Sequence, residues 1–251
     1  VMKALITGAS SGIGRDMARV LAKAKVDLIL VARRKERLME LKKELPVHVT
    51  VVVLDVSKRE NCEALYQRFV HEPIDILINN AGFGDYGEFH ETELDKDLQM
   101  VQTNIQAVHI LTKLFLKDFI RRDKGYILNV ASSAAFLPGP LMATYYATKS
   151  YVLRLSMAIW KELQKKGSHV SISVLCPGPV RTEFDKVANV KFLMDGKTSE
   201  EVAAIAIRRM LEKKLLIIPG MLMKASYIAT RFLPNRLLMS CSYHIQHRKN
   251  K

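Results

Sequence analysis

Cysteine is scarce, with three in 251 residues. Cys62, Cys176 and Cys241 stand far apart and form no C-x-x-C pair. That spacing excludes a disulfide framework and a cysteine-ligated zinc site, and fits reduced thiols of a cytoplasmic protein. No apolar stretch reaches the roughly 20 continuous residues that a bilayer span requires. A charged start, apolar middle and small-residue cleavage site are all missing before the strand-like Met2–Thr7, so no secretory leader is expected. Acidic residues vanish toward the end: from Lys213 to Lys251 there are eight Lys or Arg and no Asp or Glu. More than half of the formal charge of +14 therefore lies in the last sixth of the chain. Basic stripes elsewhere, which nucleic-acid binding would call for, are absent, so no nucleic-acid partner is expected.

What remains is a balanced globular composition, 49% hydrophobic and 25% charged. Short, continuously apolar runs recur at Met2–Thr7, Val26–Val31, Val49–Leu54, Ile74–Asn79, Tyr126–Ala131, Val170–Cys176 and Leu215–Ile218. Such runs suit strands buried on both faces of a parallel sheet rather than half-exposed antiparallel ones. Helical segments alternate with them, around Gly12–Ala24, Lys35–Glu44, Arg59–Val70, Leu94–Arg121, Ala143–Lys166 and Ser199–Glu212. Alternation of this kind predicts an α/β fold: a single-domain, Rossmann-type, doubly wound parallel sheet of about seven strands flanked by helices. The division expected is a domain over residues 1–220 and a basic amphipathic extension over 221–251.

Directly after the first strand comes Thr7-Gly8-Ala9-Ser10-Ser11-Gly12-Ile13-Gly14, opening a helix. Gly8 permits the turn off the strand, Gly12 lets a pyrophosphate approach the backbone, and Gly14 lets helix and sheet pack closely. The helix N-terminus offers N–H groups and a positive dipole end to that anion. After the second strand the chain reads Ala32-Arg33-Arg34, where an NAD-binding site ordinarily carries an acidic residue for the ribose hydroxyl. Two guanidinium groups suit a 2′-phosphate instead, so NADP(H) is favoured, with Arg33 the better placed by its position next to the strand.

Three more segments complete a pattern: Asn79-Asn80-Ala81-Gly82, Asn129-Val130-Ala131-Ser132-Ser133 and Tyr145-Tyr146-Ala147-Thr148-Lys149. Together with the glycine turn they resemble the short-chain dehydrogenase/reductase family over roughly residues 2–185. Tyr145 and Lys149 are four apart and share a helical face, so an ammonium next to the phenol is expected to lower the tyrosine pKa toward working pH. Tyr145 then exchanges a proton with the substrate oxygen while Ser132 hydrogen-bonds it. Tyr146 and Ser133 do not fit the family spacing. The resemblance further implies that Lys149 binds the nicotinamide ribose and that Asn104 supports a proton-relay water. It places Asp55, with Val56, near the adenine ring, and Asn80, Ala81 and Gly82 in the turn supporting the cofactor. Pro177, Gly178, Val180 and Thr182 would line the nicotinamide end, and Ser10, Ser11 and Ile13 the phosphate loop. Where NADP(H) members often have a basic residue this chain has Ser11, leaving Arg33, Arg34 and Arg15 to meet the phosphate. No metal is expected, and a homodimer or homotetramer is implied through the helices at Leu94–Arg121 and Ala143–Lys166.

Residues 183–198 fall where the family has its substrate loop. Phe184, Val187, Val190, Phe192, Leu193 and Met194, with Phe83, Phe136 and Leu137, suggest a hydrophobic alcohol or carbonyl substrate, although core packing would use the same residues. Past Pro219-Gly220, Leu222, Ala225, Ala229, Phe232 and Leu233 fall on one helical side and Lys224 and Arg231 opposite. A second short amphipathic turn follows at Leu237, Leu238, Cys241 and Ile245. This extension could cover the cleft or a subunit contact, lie on an anionic membrane surface, or receive an acidic substrate carrier. A nucleotide-binding regulator or membrane-associated scaffold with little turnover is the competing function, and the intact Ser132, Tyr145 and Lys149 argue against it.

Overall fold

A computed structural model of the chain describes residues 1–184, 188 and 196–247. Val187, Val190, Phe192, Leu193 and Met194 of the expected substrate loop lie outside the described residues.

All seven expected strands form, with ends within two residues of the apolar runs. They are β1 (Lys3–Thr7), β2 (Asp27–Ala32), β3 (Val49–Val53), β4 (Ile76–Asn79), β5 (Tyr126–Val130) and β6 (Ser171–Leu175). A short parallel pair, β7 (Val180–Arg181) and β8 (Lys197–Thr198), precedes the last strand, β9 (Leu216–Ile217). The main sheet runs β3-β2-β1-β4-β5-β6-β9 and is parallel throughout. Order reverses between β1 and β4, which opens a crevice at their carboxyl ends, the usual place for a ligand in such a sheet.

Helices α1 (Gly12–Lys23), α2 (Lys35–Glu44), α3 (Arg59–Phe69) and α4 (Leu94–Val101) follow in turn. Then come α5 (Ala107–Arg122), α6 (Ala143–Lys165) and α7 (Ser199–Leu211). Successive strand residues point to opposite faces and so feed two cores. Ala4 and Ile6 join Met17 and Leu21 of α1, Leu38 of α2 and Val202 of α7 on one side. Leu5 and Leu77 join Leu65 of α3 and Phe115 and Phe119 of α5 on the other. The α7 start is fixed by a capping box, in which Thr198 Oγ1 accepts from Glu201 N at 3.2 Å and Glu201 Oε2 accepts from Thr198 N at 3.1 Å.

The single helix expected over Leu94–Arg121 is interrupted. A π-helical turn, Gln102–Gln106, separates α4 from α5, with Asn104 buried at its middle. Beyond β9 the extension forms α8 (Met221–Ala229) and α9 (Asn235–His247), the second longer than the turn that spacing suggested. No helix among the described residues is long and apolar enough to cross a membrane.

Candidate active site

One cleft of about 420 Å³ opens at the β1/β4 switch point. Every residue named above for the cofactor or for catalysis lines it, except Gly14, Asn104 and Arg15. Gly14 and Asn104 stand behind the wall; Arg15 pairs with Asp16 and faces a neighbouring depression.

The glycine loop is held by Asn80. Its Nδ2 donates to the carbonyls of Thr7 and Gly8, each at 3.1 Å, while Thr7 Oγ1 accepts from the backbone N–H groups of Asn80 and Ala81. Gly8 and Gly12 have φ of +67° and +53°, a region that other residues enter only under strain. A Cβ on Gly8 would also stand 2.8 Å from Ala81 Cα, and one on Gly12 would stand 3.2 Å from Thr182 Cγ2. Ser11 precedes α1 without making a side-chain cap, so the first N–H groups of that helix are left for an anion. This cradle fits the pyrophosphate of a dinucleotide.

Arg34, rather than Arg33, commands the loop. Arg34 Nη2 donates to Ser10 Oγ at 3.0 Å and Ser11 Oγ at 2.6 Å, and its Nη1 to Glu183 Oε2 at 2.9 Å. Arg33 is 65% exposed, with Nη1 3.9 Å from Asp55 Oδ2. Nearness to the strand favours Arg33, whereas the turn into α2 directs Arg34 back over the loop; both guanidinium groups line the cleft. Arg37, which motif spacing did not single out, joins the same group through Glu183 at 2.6 Å. Asp55 does not cap α3; its Oδ1 accepts from Ser57 N at 3.0 Å, one element of the wall near Arg33.

At the other end, Tyr145 and Lys149 are both buried on α6. Lys149 Nζ donates to the carbonyl of Val130 at 2.9 Å and lies 5.8 Å from the centroid of the Tyr145 ring. A Cβ on Gly82 would come within 3.2 Å of that ammonium, so glycine there leaves it room. Ser132 Oγ accepts from Ala134 N at 3.2 Å, which fixes the hydroxyl at the start of a short 3₁₀ turn.

The expected direction of the tyrosine shift is reversed. Burial pushes the Tyr145 phenol above its ordinary range, only partly opposed by its hydrogen bond with Ser132. Burial likewise lowers Lys149 to about 8. Taking both groups out of water outweighs the attraction that helical spacing alone suggests. The resting phenol is therefore neutral. Cys176, buried beside them, is raised to about 12, again by burial.

Asn104 acts as a staple. Its Oδ1 accepts from Phe83 N at 3.1 Å, and its Nδ2 donates to Phe83 O at 2.8 Å and Thr148 Oγ1 at 3.0 Å. Both amide hydrogens are spent on protein, tying the Gly82–Phe83 turn to α6. Beyond Tyr145 the cleft is apolar and aromatic: Phe83, Met142, Tyr146 and Phe184 form its far end, with Ala134 beneath. Tyr146 is held there by Gln246 of α9, whose Nε2 donates to the phenolic oxygen. Neither Gln246 nor Glu183 carries a local sequence signal, since each meets its partners only through the fold.

A doubly wound sheet with a glycine cradle at its switch point, and a buried Ser/Tyr/Lys set beside it, defines a dinucleotide-type oxidoreductase scaffold. The family model for short chain dehydrogenases matches residues 2–191, and the chain belongs to that family. A very-long-chain 3-oxoacyl-CoA reductase of Anas platyrhynchos is 33% identical over 81% of this chain and 67% of its own length. Human 17-beta-hydroxysteroid dehydrogenase type 3 is 32% identical over 79% of this chain and 64% of its own. The chain thus spans about two thirds of the length of these relatives. Among solved structures, a short-chain dehydrogenase from Sphingobium yanoikuyae in complex with NADPH is 31% identical, with a TM-score of 0.84 over 92% of this chain and 93% of that one. One from Burkholderia phymatum in complex with NAD is 25% identical, with a TM-score of 0.83 over 90% of this chain and 91% of that one.

Proposed function

We propose that the protein interconverts an alcohol and a ketone or aldehyde on a hydrophobic substrate, using NADP(H). The observation that carries this reading is the buried Tyr145 phenol, with Ser132 and Lys149 around it, at the apolar end of the glycine-loop cleft. When bound, the nicotinamide supplies or accepts the hydride. In reduction, Tyr145 Oη gives its proton to the carbonyl oxygen, and Ser132 Oγ hydrogen-bonds that oxygen and stabilises its developing charge. The Lys149 ammonium, anchored on Val130 O, stabilises the phenolate left behind and is placed to hold the nicotinamide ribose. Asn104 keeps the Gly82–Phe83 turn in register with α6 and so positions the phenol.

Gly8, Ser10, Ser11, Gly12 and Ile13 hold the pyrophosphate, while Asp55 and Val56 flank the adenine. Gly14 and Asn80 support the loop, and Ala81, Gly82, Pro177, Gly178, Val180 and Thr182 close around the nicotinamide half. Arg34, with Arg33 and Arg37 nearby, meets the 2′-phosphate. The aromatic far end and the similarity to a very-long-chain 3-oxoacyl-CoA reductase and a hydroxysteroid dehydrogenase support an extended apolar substrate. Exposed Leu94, Leu98 and Val101 of α4 and Tyr151 of α6 support pairing of two chains along those helices.

The test follows loss of NADPH absorbance with steroid ketones, long-chain 3-oxoacyl thioesters and aliphatic aldehydes. Turnover is expected with at least one class and abolished in Tyr145→Phe. Binding of NADPH without turnover across the panel would favour the regulator reading.

A further inference from the structure

The periodicity of α8 gathers Leu222, Ala225 and Ala229, followed by Phe232 and Leu233, on one side, the side an amphipathic helix normally buries. Here that side faces outward. Leu222, Ile228, Phe232 and Leu233 are exposed, with Met221 87% and Phe232 82% accessible, and α8 has no buried residue. Its inner contacts come from the opposite stripe: Met223 lies against Gly178, and the Tyr227 ring is 4.7 Å from that of Phe136. Helix α9 repeats the arrangement. Leu238, Ser242 and Gln246, four apart, point inward, whereas Leu237, Met239, Tyr243 and Ile245 are exposed. Nine of the nineteen exposed large apolar side chains among the described residues fall between Met221 and Ile245. Chance placement on a soluble surface does not concentrate them so.

We propose that this outward face of α8 and α9 docks the protein on an anionic lipid bilayer. Charge selects the occupant. Lys224 and Arg236 are exposed beside the apolar residues, Arg231 is turned onto the Tyr227 ring and hydroxyl, and no acidic residue occurs from Lys213 to the end of the sequence. Apolar side chains flanked by cations, without anions, match the acyl boundary and headgroups of an anionic leaflet. A second copy of the chain meeting this face about a two-fold axis would set these cations against their own images. Location gives the docking a consequence. The inner stripe rests on Gly178, and Gln246 holds Tyr146 at the apolar end of the cleft. A bilayer on the outer side therefore lies about one helix diameter, ~10 Å, from the wall that receives a hydrophobic substrate. The docking does not depend on which reaction the cleft performs.

The experiment is cosedimentation of the full chain with vesicles of phosphatidylcholine alone and with about one-third phosphatidylglycerol, at low and high salt. The wild type is expected to sediment with the anionic vesicles and far less with the neutral ones. Leu222→Asp with Phe232→Asp is expected to weaken that partition roughly tenfold or more, since each change removes an inserting side chain. Lys224→Glu with Arg236→Glu is expected to abolish the preference for anionic lipid. Thermal unfolding and coenzyme affinity should be unchanged in both, because all four positions are on the surface. Wild-type protein left in the supernatant with both lipids, or variants that sediment as well as it does, would overturn the proposal. So would a wild-type dimer, made monomeric by Leu222→Asp with Phe232→Asp and indifferent to vesicles, which would assign the face to a second copy.

Discussion

Tyr145 and Lys149 show how far spacing reaches and where it stops. Their four-residue separation placed them together, but the direction of the tyrosine shift depends on burial, which no spacing encodes. A neutral phenol suits proton donation, and an ammonium of pKa about 8 is charged below that pH and lost above it. For carbonyl reduction, kcat/KM, which reports groups of the free enzyme, should be flat through neutrality and fall above about pH 8. The oxidative direction needs the phenolate and should climb with pH over the neutral range. A reductive profile that instead rises from pH 7 to 9 would contradict these assignments. The arginine group is equally instructive. Arg33 and Arg34 were legible as cations after β2, whereas the ties of Arg34 and Arg37 to Glu183 join residues 149 and 146 apart and have no local trace. Arg34→Ala should raise KM for NADPH roughly tenfold or more, the range of a charge-assisted hydrogen bond, with KM for NADH little changed. Glu183→Gln, which removes the carboxylate charge that both guanidinium groups share, should lower KM for NADPH. Initial-rate kinetics with the two coenzymes check both.

The strands were readable because each is short, continuously apolar and bounded by helix-forming sequence; two cores then follow from their alternation. Helix starts were as clear: Gly12, Lys35, Arg59, Leu94, Ala143 and Ser199 each open a helix where the alternation put one. The π turn at Gln102–Gln106 was not, since its sequence continues a helical pattern and the widening is maintained by tertiary bonds of Asn104. Asn104→Ala removes those bonds and leaves the half-buried backbone groups of Phe83 unpaired. A loss of about 1–3 kcal/mol in chemical denaturation is expected for that reason. If the asparagine also positions Tyr145, kcat should fall while KM for coenzyme changes little; a purely structural role would leave kcat of the folded fraction intact. In α8 the existence of an apolar stripe was legible, but not the side it would face, because periodicity does not name a partner.

The whole molecule assembles these parts around one reversal of strand order. Parallel strands diverging from β1 and β4 bring the glycine loop, the Asn80 turn, Ser132 and α6 to a common edge. That convergence was foreseeable from the alternation of strands and helices together with the motifs. The closure of the substrate end was not, since Tyr146 and Gln246 are about 100 residues apart and meet only in the folded chain. The central claim is that this edge transfers hydride to a carbonyl with Tyr145 giving the proton. Reduced NADP deuterated at both C4 positions, incubated with a hydrophobic ketone accepted by the protein, tests it most directly. Mass spectrometry of the product should find deuterium on the carbinol carbon with the wild type and no labelled alcohol with Tyr145→Phe. Labelled alcohol formed equally well by Tyr145→Phe, or none from any carbonyl by the wild type, would contradict the account.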